Sequence, residues 1–227
     1  HYSATIKIGS GEHDKIRLHR VVREKSPWVP KTSLTKSLFL VHGDTLDFVS
    51  SFFVGPSAGS AASSYSVFMA QAGIDVWGID HRARVIPSGT IDPGDQASDD
   101  FMSGWSLRTQ ASDTRKAILL ARLVRVATGS PWNKMLALGW SRGGQTMYVV
   151  AQEETLVPSA FRSVSGMTIV DIPLKGDPAD TYLQTIACSA ANNIDAALAA
   201  GIYVNPAGEL LKAAGDLAVS DPSGPSP

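Results

Sequence analysis

Cys188 is the chain's one cysteine, so an internal disulfide is excluded, and its alanine-rich surroundings suit a small core residue better than a reactive thiol. An excess of one charge is missing too. Twenty Lys and Arg stand against 21 Asp and Glu, a net charge of −1 without the bias expected of a nucleic-acid or polyanion binder. No apolar run approaches the ~20 residues that cross a bilayer, so no membrane span is expected. Neither a cluster of metal-ligand residues nor a glycine-rich phosphate loop is present, and no cofactor is expected. The absence with the largest consequence concerns histidine: His1, His13, His19, His42 and His81 are all there are, and none lies beyond position 81.

What is present suits a globular protein. With 44% hydrophobic and 18% charged residues in 227, the chain can bury a sizeable core, as one large domain or one domain with an appendage. It opens at His1 without an initiator methionine, as a processed chain or a trimmed one does, and this leans towards a secreted or periplasmic setting.

Tyr2, Ala4, Ile6 and Ile8 alternate with polar residues, and Ile16, Leu18 and Val22 do so again beyond the turn at Gly9 to Asp14. That is the period of a half-buried hairpin, and it places His13 and His19 at the surface. SLFLVHG at 37–43 is a continuous apolar run of the kind a strand buried on both faces shows. Strand and helix patterns then alternate: a helix over 60–72, a strand over 74–80, an amphipathic helix over 106–128, a strand over 134–140, a helix over 143–153 and a strand over 163–173. In the long helix Leu107, Ala111, Ile118, Ala121 and Val124 form one stripe, with Arg115, Lys116, Arg122 and Arg125 off it. Such alternation predicts an α/β fold with a doubly wound, mostly parallel sheet. After Pro173 the strands stop, and helical stretches follow at about 179–200 and 207–219. The expected division is a core over 1–173, a helical cap over 174–220 and a Pro/Ser/Gly tail over 221–227.

Gly139-Trp140-Ser141-Arg142-Gly143 matches G-x-S-x-G where an apolar strand gives way to an amphipathic helix, the context that gives the motif its meaning. A nucleophilic serine on so sharp a turn needs glycines two residues away, and its hydroxyl projects at a helix N-terminus, where developing negative charge is favoured. His42-Gly43 closes the first buried strand, placing the backbone N–H groups of Asp44 and Arg142 as donors to an oxyanion. His42 itself reads as a structural residue beneath that loop, and Trp140, Trp105 and Phe48 are candidates to line an apolar acyl pocket.

FLVHGD, AGIDVWGIDHR and LALGWSRGGQ, in that order and at those separations, resemble the α/β-hydrolase superfamily over about residues 36–172. The resemblance implies a serine hydrolase acting on ester or related acyl bonds, with Ser141 as nucleophile and a helical cap after the sixth strand. It also makes Asp171, at the end of that strand, a candidate triad acid, and gives Asp80 and Arg82 structural roles. The departure lies in the histidines. The family order is serine, acid, histidine, and every histidine here precedes Ser141. Two readings follow: a second polypeptide supplies the last two strands and the catalytic histidine to a processed or split enzyme, or the chain is a non-catalytic relative kept for binding. An amidase or peptidase on the same elbow is a third possibility, and His81 the one substitute base in reach.

Overall fold

The computed structural model describes residues 1–31, 33–53, 64–92, 95–172, 177, 179–202, 214–217, 220–221 and 223–224. They fall into two compact units, one built from residues 1–86 with 105–175 and the other from 87–104 with 176–227.

The first unit opens with β1 (Tyr2–Lys7) and β2 (Lys15–Val21), paired antiparallel so that Ala4 faces Leu18 and Ile6 faces Ile16. Asp14 closes the turn by accepting from the N–H groups of Ile8 and Gly11. A small ribbon follows, β3 (Glu24–Ser26) against β4 (Val29–Pro30). Then come β5 (Ser37–Val41), β6 (Asp75–Asp80), β7 (Met135–Trp140) and β8 (Val164–Val170). The sheet order is β1-β2-β6-β5-β7-β8, parallel from β6 to β8. All five residues of β5 are buried, as its unbroken apolar run requires. Because β6 lies on one side of β5 and β7 on the other, the winding reverses at β5, and a crevice opens at the carboxyl ends of these strands.

Among the described residues four helices flank the sheet: α1 (Phe48–Phe52), α2 (Tyr65–Gln71), α3 (Leu107–Ala127) and α4 (Arg142–Thr155). The helix expected over 60–72 starts at Tyr65, and residues 54–63 lie outside the described ones. Asp47 begins α1 with a capping box: its carboxylate accepts from Ser50 N–H, and Ser50 Oγ accepts from Asp47 N–H. One core joins Ile118 and Ala121 of α3 and Met147 and Val150 of α4 to Phe39, Ile79, Met135 and Ala137. The other joins Phe48, Phe52 and Ala70 to Leu38, Leu40 and Val76. On that second face a cavity of about 410 Å³ stays open beside Leu38, Tyr65, Met69, Leu136 and Leu138, and Leu136 is 55% exposed.

In this unit one expectation needs correcting, and one burial lay outside what the helical pattern could show. Arg122 and Arg125, off the apolar stripe of α3, are buried: Arg125 Nη1 donates to Asp75 at 2.8 Å and its Nη2 to Leu34 O at 2.9 Å, while Arg20 grips the same carboxylate through Nε and Nη2 at 2.9 and 3.0 Å. His19 is not at the surface but buried, its Nε2 2.9 Å from Asp80 Oδ2. Asp75, 50 residues from Arg125, and Asp80, 61 from His19, account for those two burials, while Arg122 donates to Asn133 O and Ser163 Oγ.

In the second unit a 3-10 stretch runs over Gln96–Met102, and α5 (Thr181–Ala199) occupies most of the expected helix at 179–200. Cys188, expected in a core, is exposed on α5, whose other polar and apolar side chains there are also mostly exposed. Of the helix expected over 207–219, residues 214–217 are helical and the others lie outside the described residues. Among the described residues no helix is long and apolar enough to cross a membrane.

Candidate active site

The loops after β5, β6 and β7 meet at the carboxyl end of the sheet. Ser141 is the residue between β7 and α4, with φ 52° and ψ −121°. A side chain rarely occupies that region, and holding one there costs on the order of 1–3 kcal/mol unless the surroundings impose it. Here they do. Ser141 N–H donates to Val170 O at 2.9 Å, tying the turn to β8, and Ser141 O accepts from Gly144 N–H at 2.7 Å to start α4. The flanking glycines are obligatory: a Cβ on Gly139 would stand 2.4 Å from Gly143 O, and one on Gly143 would stand 2.2 Å from Val41 O and 2.6 Å from His42 O. Gly144 is confined by side chains instead, its missing Cβ falling 2.4 Å from Ile172 Cγ2. The hydroxyl accordingly sits at the N-terminus of a 14-residue helix, where the dipole favours an anion.

The loop after β5 lies directly against this turn, since a Cβ on Gly43 would be 3.2 Å from Ser141 Cβ and 3.3 Å from Trp140 Cε3. Asp44 is exposed just beyond it, and Thr45 takes φ 61°. Among the described residues the N–H groups of Asp44 and Arg142 donate to no protein acceptor, so both are available to a ligand oxygen.

His42 is buried, with Nδ1 2.7 Å from Gly43 O and Nε2 3.3 Å from His81 N. A carbonyl only accepts and a backbone N–H only donates, so the proton is on Nδ1 and the Nε2 lone pair is occupied. Burial pushes its pKa below the usual histidine range. His81, T-shaped against it at 5.1 Å, is pushed down to about 3 by burial and by the charges of His42 and Arg142. Both of its ring nitrogens are buried without a hydrogen-bond partner. The Nε2 lone pair of His42 is thus taken, and burial lowers the basicity of both imidazoles. Asp80 and Arg82 hold the adjacent loop: Asp80 accepts from Phe48 N–H at 2.7 Å, and Arg82 pairs with Asp113 at 2.6 Å and with Asp14.

Asp171 follows β8 as Ser141 follows β7, and the residues before them, Val170 and Trp140, are register partners. Asp171 is exposed and takes φ 59°, so two strained residues stand side by side on neighbouring strand ends. Trp140 lines a cavity of about 310 Å³ with Ser51, Phe52, Tyr65, Leu138 and Val170. The other two aromatic candidates lie elsewhere: Phe48 is fully buried and stacks on His19 at 4.5 Å, and Trp105 lies under the Arg82 guanidinium at 5.8 Å.

No family model and no curated protein matches the sequence. Among solved structures, a candidate lipase from Sulfolobus solfataricus superposes with a TM-score of 0.63 at 18% identity, over 99% of this chain. The chain has the α/β-hydrolase fold. It spans 59% of that lipase-like structure. Looser likenesses within the α/β-hydrolases are to brefeldin A esterase, a bacterial homologue of human hormone-sensitive lipase (TM-score 0.43, 18% identity, 73% of this chain and 38% of that one), and to an N-acyl homoserine lactonase (0.37, 13%, 76% and 46%).

Proposed function

We propose that this chain is the nucleophile-bearing part of a serine hydrolase that cleaves an ester or related acyl bond through an acyl-enzyme on Ser141. The observation that carries it is the backbone of Ser141, at φ 52° in a turn where Gly139 and Gly143 leave no room for a Cβ, beside a loop whose Asp44 N–H, like that of Arg142, donates to no acceptor among the described residues. A mere scaffold has little use for such strain. In the reaction Ser141 Oγ attacks the acyl carbon and loses its proton to an imidazole. The carbonyl oxygen becomes an oxyanion held by the N–H groups of Asp44 and Arg142, the alcohol leaves with the proton, and water then releases the acid. Trp140 contributes an apolar wall for the acyl group, and Asp171 is the candidate to orient the imidazolium.

The imidazole comes from a second polypeptide, the C-terminal portion of a processed or split enzyme, which also adds the remaining strands beyond β8. The support for this lies at the site: the Nε2 lone pair of His42 is occupied, and burial pushes His81 down to about 3. The non-catalytic reading is favoured by the same histidines but leaves the strained elbow without a role.

A fluorophosphonate probe tests this, since it reacts only with an activated serine beside an oxyanion hole. Label on Ser141 of the complete enzyme, absent in Ser141→Ala along with acyl hydrolysis, is the expected result. Label on another residue, or full activity in Ser141→Ala, sinks the assignment. Intact-mass analysis of the active species settles the partner: a lone 24.0 kDa chain with full activity would exclude the second polypeptide.

A further inference from the structure

We propose that the cavity between the N-terminal hairpin and α3 binds a small neutral molecule, an apolar body carrying one carbonyl, whose oxygen accepts from Trp77 Nε1–H. The floor is one face of β1, β2 and β6: Tyr2 stands opposite Arg20 and Arg20 opposite Trp77 in one row across the three strands, with Ala4 opposite Leu18 in the next. Leu120 and Val124 of α3 and Pro30 of β4 complete the walls around about 310 Å³. Ala4 makes the gap. Between the larger Tyr2 and Ile6 it puts only a methyl, and above it Leu120 and Val124 are left half-buried. None of the lining residues belongs to the Ser141 turn or its loops, so binding here is separate from acyl transfer.

Trp77 is 3% exposed, and its Nε1–H is buried with no protein acceptor. A buried indole N–H ordinarily finds one, because going without forfeits the hydrogen bond it makes in water. Its neighbours are already engaged: Tyr2 Oη donates to Glu24, Arg20 donates to Asp75 and, through Nη1 at 3.3 Å, to Thr128 Oγ1, and His19 meets His1 and Asp80. Among the described residues Trp77 Nε1 is therefore the one buried polar side-chain atom of the lining without a partner. Water fits poorly, since a buried water takes about two to four polar partners. An anion fits poorly as well, because it would compete with Asp75 for Arg20. A molecule that is apolar except for one acceptor matches these walls. An apolar cavity of about 150 Å³ holds benzene, so this one has room for a substituted ring, at the lower end of the range of small-molecule sites.

Acetophenone, cumene and benzoate test this on the complete enzyme, being benzene rings with an acetyl, an isopropyl or a carboxylate group of nearly one shape. NMR titration is followed at the Trp77 indole proton and at the methyl groups of Leu18, which lines the cavity. Acetophenone is expected to move both to saturation with a Kd on the order of 0.1–1 mM, the indole proton going downfield as its hydrogen bond forms. Cumene should move the methyl groups without that downfield shift, and benzoate should bind more weakly than acetophenone. Trp77→Phe is expected to weaken acetophenone roughly three- to tenfold and leave cumene within about twofold, the difference that one neutral hydrogen bond makes. Ala4→Phe fills the notch from an exposed position, so it keeps the test alive should Trp77→Phe fail to fold, and it should abolish binding of both. No saturable shift at Leu18, shifts confined to Trp140, tighter binding of benzoate than of acetophenone, equal losses for acetophenone and cumene in Trp77→Phe, or parental binding in Ala4→Phe would each overturn the site.

Discussion

The two ends of the same sheet are built on opposite terms. At the amino ends of the parallel strands, Arg20, Asp75 and Arg125 form a buried cluster in which each carboxylate oxygen accepts from guanidinium groups at 2.8–3.0 Å. At the carboxyl ends the N–H groups of Asp44 and Arg142 and both nitrogens of His81 have no protein partner among the described residues, whereas at the amino ends the atoms left over are Arg125 Nε and Ser37 Oγ, beside a carboxylate whose two oxygens are both engaged. Three of the five positive-φ residues other than glycine, Thr45, Ser141 and Asp171, stand beyond the carboxyl ends of the strands; Trp28 and Ser33 lie ahead of β5. Saturated contacts hold a structure in place, whereas unsatisfied and strained groups are what a reacting ligand can engage.

Gly143→Ala attacks the strained end and carries the largest expected effect. Its Cβ meets the backbone oxygens of Val41 and His42, neither of which can yield without moving the oxyanion loop. Misplacement of the reacting groups by about 1 Å costs on the order of 10²-fold in kcat, while overpacking costs about 1–3 kcal/mol of stability. Activity per labelled serine and urea unfolding together separate the two. A stability loss with kcat intact would break the contrast.

Asp75→Asn attacks the saturated end. It leaves Arg20 and Arg125 facing each other in the core, and stripping a buried pair of one partner costs about 3–5 kcal/mol. Burial already pulls Arg125 below its ordinary pKa, with Asp75 pulling the other way. Unfolding in urea should show the loss, while kcat per labelled Ser141 stays near that of the parent because the site lies at the opposite strand ends. A fall in kcat greater than in the Gly143 variant would reverse the assignment of roles.

The strained end was the more legible in sequence, for a physical reason. An elbow's steric demand is local, so glycines two residues either side of Ser141 announce it, and continuous apolar runs announce β5 and β6. The saturated end depends on pairings between distant positions. Helical spacing removes Arg125 from the apolar stripe of α3 without revealing that Asp75 waits 50 residues earlier. Strand alternation likewise turns His19 outward unless Asp80 is known to receive it. The helix α1 had a local signal, Asp47 with Ser50 three residues on, that the apolar pattern hid. For Cys188 nothing in its alanine-rich neighbourhood distinguishes a covered helix face from an open one.

The smallest effect concerns acid, and its sign follows from His81. In the folded chain this imidazole titrates at about 3, against 6.5 for an unperturbed histidine. Between those values the unfolded chain binds a proton that the native one refuses, so native stability is full above pH 6.5 and falls as pH drops towards 3. The slope is about 1.4 kcal/mol per pH unit while one proton is at issue. His42, also depressed by burial, acts in the same direction. His81→Phe, which removes the titrating ring and its two orphaned nitrogens, should therefore flatten the decline between pH 6 and 4. Asp75→Asn should lower stability at every pH in the window. Urea midpoints measured at half-unit steps of pH give both quantities, and an unchanged slope in His81→Phe would mean that the acid sensitivity resides elsewhere in the molecule.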